Sequence, residues 1–494
     1  MRFASTLPDL PQSFVALALL GLPVWGQSEA QEEPIFDEAE PQSQPVRVEQ
    51  ADSEVSKPEK WTLNEALDLP DWLSLSGQQR FLFEVFDEPF RPGQNGGGNG
   101  FFSRTLIEGR ATYENWTATA EFIDSRVLSS SSDLPLNAGI VNAVELLQGH
   151  IGWRDRDQFI EGDELEFKVG RQTLDLAGRR LVSRQRFRNT INNFTGAYSR
   201  WQNSGGDKVH AFYFMPVQRL PNDQEGAENN EIRYDDETSN QIFWGIHGQK
   251  RELFGRTDAE VYIYGLDEKD GPDFNSRNRD FITVGARFFR KPQPSDWHLD
   301  LEGSYQTGTS RPGSSTAFTE DLDHQAEFFH LTAGYQFDVD MDPRAEFVFE
   351  YASGDANPND DQWGRFDPLF GARRPDYGPP STLGAFQRSN VITPGVRFHL
   401  KPTSEVQVMI QERFFYLAEA TDAWVTTGLQ DPTGAAGDYL GNLLEARVRW
   451  DPDPNYRLEF GVAQIFAGSF AREVPGSTNS GDTTYGYLMA STFF

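Results

Sequence analysis

From Trp72 onward apolar and polar residues alternate, and the connections between the alternating stretches alternate in length. In 105–113, Thr105, Ile107, Ala111 and Tyr113 share one face, while Leu106, Glu108, Arg110 and Thr112 share the other. In 442–450, Leu444, Ala446, Val448 and Trp450 oppose Glu445, Arg447 and Arg449. A period of two marks a strand with one apolar face. Eighteen such stretches follow one another to Phe494, most of them about as long as a tilted strand needs to cross a bilayer. Connections after even-numbered stretches are mostly short, such as Asn115 or 203–206, and those after odd-numbered ones mostly long, such as 175–193, 218–239 and 354–389. This sorting by parity predicts an all-β fold: a transmembrane antiparallel β-barrel of about 18 strands, with short periplasmic turns and long extracellular loops. A soluble propeller would repeat its blades at a fixed period, and no such repeat is present.

Composition narrows the reading. No cysteine is present, so no disulfide or thiolate metal site is expected. The net charge of −31 argues against nucleic acid as a partner, because phosphate binding needs a basic face. Residues 1–26 read as a secretory signal, with an apolar core from Phe14 to Leu22. Residues 27–60 are acidic and rich in Pro, Gln and Ser, which predicts a disordered tail ahead of a barrel over 61–494. The expected location is the outer membrane of a Gram-negative bacterium, with outer-membrane lipid as one partner.

With the apolar face against lipid, the other face lines a lumen. Alternation sends Arg80, Arg110, Arg154, Arg287, Arg397, Arg413, Arg447, Arg449 and Arg457 inward. Glu108, Glu121, Asp300, Glu302, Glu346, Glu350, Glu445 and Glu459 share that face. Such a mixture either stiffens the wall as ion-paired ladders or, where arginines are in excess, selects an anionic solute. The stretch 170–201 carries Arg171, Arg179, Arg180, Arg184, Arg186, Arg188 and Arg200 against one acid, Asp175. Arginine's planar fork suits carboxylate and phosphate. The loop after Arg171 is long enough to fold back into the barrel and line a constriction. Arg171 itself breaks the alternation. A bulge at Gly170 would turn it inward; otherwise it sits at the outer rim and snorkels.

Several separated motifs carry a resemblance. The sequence FKVGRQTLDLAGRRLVSRQRFRNTINNFTGA (167–197), FDPLFGARRPDYG (366–378), GNLLEARVRW (441–450) and FGVAQIFAGSF (460–470) together resemble the alginate-export family of outer-membrane proteins. The resemblance implies a barrel that passes a polyuronate through an arginine-lined constriction. It implies Arg171, Arg179, Arg180 and Arg188 as constriction residues. Arg184, Arg110, Arg287, Arg397, Arg447 and Arg449 complete the expected substrate-binding set. The expected solute is an acidic polysaccharide or oligosaccharide such as alginate, with a general or other anion-selective porin as the alternative. Periplasmic export or uptake partners are compatible with either, and no cofactor is expected.

Catalysis has little support. The seven histidines are scattered, and none lies in a nucleophile motif. Asp355, Asn357, Asn359 and Asp361 have the alternating oxygens of a calcium loop. However, Asp360 replaces the turn glycine and Phe366 the closing glutamate, so the expectation is a solvated acidic loop with at most weak calcium binding.

Overall fold

The computed structural model describes residues 60–494 apart from 88–89, 93–95, 133, 273, 375 and 478–480. The chain divides into two units, Met1–Pro45 and Val46–Phe494. The first unit, holding the expected signal and part of the tail, lies outside the described residues.

The second unit is a barrel. Its strands are β1 Leu73–Asp87, β2 Gly98–Tyr113, β3 Trp116–Ser130, β4 Asn142–Arg156, β5 Glu164–Gln172 and β6 Phe194–Gln202. Next come β7 Lys208–Gln218, β8 Gln241–Phe254, β9 Thr257–Glu268, β10 Asp280–Arg290, β11 Asp296–Ser310 and β12 Leu322–Gln336. The last are β13 Arg344–Ala352, β14 Val391–Leu400, β15 Val406–Tyr416, β16 Tyr439–Asp453, β17 Tyr456–Ala467 and β18 Thr483–Phe493. Each pairs antiparallel with its neighbour in sequence, and β18 returns to β1 with Gln78 opposite Phe493 and Asp87 opposite Thr484. Closure leaves no wall strand with a free edge, which a lipid-immersed sheet requires. Short two-residue strands at Asp236–Glu237 and Gln362–Trp363 are built from the long loops. No helix among the described residues is long and apolar enough to cross a membrane.

The parity of the connections holds around the ring. One rim has turns such as 114–115, 255–256 and 454–455; the other has loops such as 173–193, 219–240, 353–390 and 417–438. The hairpin at 255–256 is tight. Strand pairing continues to Phe254 and Thr257, with a register shift between Thr257 and Ala259 absorbing the twist.

Burial follows the period of two. Along β1, Phe81, Phe83 and Val85 are exposed, while Arg80, Leu82, Glu84 and Phe86 are buried. Phe460, Val462 and Leu488 continue the exposed apolar band on β17 and β18. A water-facing sheet would invert this arrangement. Here the greasy side faces out and the charged side faces in, as lipid demands.

Candidate functional site

Two long loops fold into the lumen and join there. The β5–β6 loop (173–193) meets the β13–β14 loop (353–390) through backbone hydrogen bonds: Phe370 N to Leu181 O at 2.9 Å, Ser183 N to Phe370 O at 3.2 Å and Ala372 N to Arg179 O at 2.8 Å. Gln185 Nε2 donates to the Gly371 carbonyl. Gly371 is needed there, since a Cβ would lie 1.7 Å from the Arg180 carbonyl oxygen. Phe370 packs on Phe194 and Phe243 of the wall, with ring centroids 5.1 and 4.9 Å away. The aromatic residues that alternate along β6–β9 therefore hold the loops in place rather than facing open water.

Most of the expected arginines are neutralised in this crossbar or on the wall around it. Arg180 donates to Asp300 and Glu302, each at 2.7 Å. Arg184 grips Glu121 at 2.6 and 3.1 Å. Arg287 pairs with Asp300 at 2.7 Å and Glu260 at 3.1 Å. Arg397 pairs with Asp376 at 3.0 Å and Glu346 at 3.5 Å. Arg449 and Arg447 approach Glu459 at 3.0 and 4.0 Å. Arg110, more open, pairs with Glu108 at 3.0 Å. Arg179 occupies a left-handed turn (φ 58°), and its charge helps hold the Asp175 carboxyl below the usual range, against burial and after the nearer Arg186. Arg374 and Arg388 are equally buried and are absent from the sequence expectation. Arg374 reaches Glu445 at 3.0 Å, and Arg388 reaches Asp376 at 3.3 Å. Arg104, which the alternation of β2 could have assigned to the lumen, is also buried and donates to Gln78 at 2.7 Å.

Arg171 lies elsewhere. Pairing runs through Gly170 without a register shift, Gly170 opposite Gly196 and Arg171 opposite Thr195. Arg171 therefore shares the outward face of Val169. There it bonds Glu145 at 2.9 Å and Glu237 at 2.7 Å. Gly170 (φ 130°) serves close strand approach, since a Cβ would sit 2.2 Å from the Gly149 carbonyl oxygen. Nearby register shifts fall on the β3–β4 pairing instead. Of the two alternatives, the bulge at Gly170 does not form, and Arg171 stays on the outward face paired with two glutamates.

The calcium candidates have partners within the fold. Asp355 is buried and receives the Gly364 amide at 3.5 Å, Asn357 caps the Asn359 amide at 3.3 Å, and Asp361 contributes its carbonyl to Asp323 N. Among the described residues, the one cluster of at least three acidic or histidine side chains with metal-like spacing is His330, Glu350 and Asp376. Arg180, Arg388, Arg397 and Arg413 already approach its atoms at 2.6 to 3.7 Å. Guanidinium groups fill the role a cation would take.

One group of arginines stands apart. Toward the long-loop rim, Arg91, Arg188 and Arg373 line a cavity of about 340 Å³ with Asn137, Gln185, Ser381, Thr382, Gln387 and Thr426, and none of its described lining residues is a carboxylate. Among the described residues no acid lies within ion-pair distance of any of the three. Arg188 donates to Asn192 Oδ1 at 2.7 Å. Arg91 and Arg373 both donate to the Gly384 carbonyl, at 3.2 and 3.4 Å. Burial and then the charge of Arg373 pull the pKa of Arg91 down to about 10, and burial with the charge of Arg388 does the same to Arg373. Arg188 is pulled well below its ordinary value by burial, then by Arg219 and Arg373. Arg188 was legible as a candidate. Arg373 sits in the 366–378 motif but was not singled out, and Arg91 follows a loop sequence with no distinguishing pattern.

A closed eighteen-stranded barrel with an apolar outer band, long loops on one rim and a charged interior is an outer-membrane channel of Gram-negative bacteria. The fold is shared with solved Pseudomonas aeruginosa outer-membrane proteins. OprD is similar at a TM-score of 0.53 and 13% identity, over 86% of this chain and 94% of that one. OpdL is similar at 0.54 and 9%, over 85% and 98%. OccK2 (OpdF) in complex with glucuronate is similar at 0.53 and 12%, over 85% and 96%. Residues 71–483 match the family described as alginate export, and the chain belongs to that family. No curated protein matches the sequence.

Proposed function

We propose that the channel passes an anionic saccharide, an acidic polysaccharide or oligosaccharide such as alginate, and that Arg188 with Arg91 and Arg373 supplies its selectivity. The observation that carries this reading is that none of the described residues lining their cavity is a carboxylate. The paired arginines below contribute little net field, whereas three uncompensated guanidinium groups attract anions and present forks that match a uronate carboxylate. Several weak sites in series let a polymer advance without being trapped. A barrel of the same fold holds glucuronate, a sugar of this charge class.

Planar-bilayer recording tests the reading. In a salt gradient the wild-type reversal potential is expected to favour anions, and polyuronate is expected to block the current. Arg188→Gln with Arg373→Gln is expected to remove most of both effects. An unchanged reversal potential in that variant, or ohmic current insensitive to polyuronate in the wild type, overturns it.

A further inference from the structure

The arginine cavity is assembled from five separate loops. Arg91 comes from the β1–β2 loop, Asn137 from β3–β4, Arg188 from β5–β6, Arg373 from β13–β14 and Thr426 from β15–β16. Little but backbone carbonyls and amide side chains holds the three cations together. Gly384 is the meeting point: it is left-handed (φ 46°), and a Cβ on it would lie 3.3 Å from an Arg91 nitrogen and 3.5 Å from an Arg373 nitrogen. Like charges in a poorly solvated space repel strongly. Two of the three cations sit on loops that the crossbar already joins, so the repulsion bears on the β1–β2 loop, which Arg91 ties to the others through the carbonyls of Thr382, Leu383 and Gly384.

We propose that this cavity is a ligand-operated clasp: a small polyanion, carrying at least two negative charges on no more than about two sugar rings, binds between Arg91, Arg188 and Arg373 and ties the loops closed over the mouth. The cavity volume lies at the low end of the usual range for small-ligand sites, roughly 300–1,000 Å³, which sets the size limit. A single monoanion leaves two guanidinium charges uncompensated, which sets the charge. A bound ligand stabilises the closed arrangement in proportion to its concentration over its dissociation constant. The inference rests on the anion affinity proposed above, though not on passage of the same molecule.

The full-length protein folded in detergent and reconstituted in bilayers decides it. Digalacturonate and inorganic sulfate, against cellobiose and chloride at matched ionic strength, are the probes. Both polyanions are expected to raise the melting temperature, to slow proteolysis of the five loops and to lengthen closed intervals in single-channel records. Arg91→Gln with Arg373→Gln is expected to lose all three responses while retaining heat-modifiable migration. If that variant does not assemble, the wild type decides: equal protection by cellobiose and digalacturonate overturns the clasp. Binding that protects the loops but leaves closed intervals unchanged also overturns it, without touching the transport reading. A wild type that gives all three responses to the polyanions yet shows no anion preference and no block by polyuronate overturns the transport reading alone.

Discussion

Asp376 accepts a hydrogen bond from Arg397 at 3.0 Å, and the Arg388 and Arg413 guanidinium groups reach the same carboxylate at 3.3 and 3.6 Å. Asp376 belongs to an inward loop, whereas Arg397 and Arg413 belong to the wall strands β14 and β15. One acid thus pins the crossbar to the barrel.

Replacing that acid exposes its weight. Asp376→Asn leaves three buried guanidinium groups short of a counter-charge, a change expected to cost about 3 kcal/mol or more. Thermal unfolding in detergent should shift down clearly. The same variant is expected to move the reversal potential further toward anions, because it frees positive charge in the lumen.

Gly371 offers a test that leaves every charge in place. Gly371→Ala puts a methyl group into the Arg180 carbonyl, and backbone on both sides cannot yield cheaply. The two inward loops are expected to separate. Larger unitary conductance and faster proteolysis within 173–193 and 353–390 are the expected outcomes, with the barrel still heat-modifiable.

Arg184 and Glu121 give a paired experiment. Arg184→Ala strands the Glu121 carboxylate inside the wall, which should lower both stability and anion preference. Adding Glu121→Gln is expected to recover most of the stability. The double-mutant cycle separates this structural pair from Arg188, whose replacement should affect selectivity without a comparable loss of stability.

Asp235, in the 219–240 loop, supplies a pH dependence. Burial, aided by the Glu145 carboxylate, pushes its pKa up to about 6 from the ordinary 3.8, against hydrogen bonds from Leu220 N and Asn142 Nδ2. A raised carboxyl pKa means that the docked loop binds the proton more tightly than the undocked one. Its stabilisation is complete below about pH 4 and is lost as pH rises through about 6, at most about 3 kcal/mol. Protease cleavage in 219–240 should therefore accelerate between about pH 4 and about pH 6 and level off above that, and Asp235→Asn should flatten that profile.

The wall was legible because lipid enforces a strict rule. Outward positions at the depth of the hydrocarbon must be apolar, so the strands repeat with period two, and the stretches 105–113 and 442–450 lie within Gly98–Tyr113 and Tyr439–Asp453. Which inward charge meets which was not legible. Alternation places Arg287 and Asp300 inside, but the stagger between strands and the path of two loops decide that they touch. Arg171 shows the opposite case: alternation alone was sound, and the glycine before it suggested a bulge that strand pairing did not need. Arg91 carried no local signal, because its role comes from four other loops converging on it.

The crossbar has a mechanical consequence. Its halves spring from β5–β6 and β13–β14, eight strands apart in a ring of eighteen, so they tie nearly opposite walls together. An empty tube of this girth can flatten under lateral pressure from the bilayer. A strut across its middle holds the cross-section round, and so keeps the bore the same whether the surrounding lipid is thick or thin.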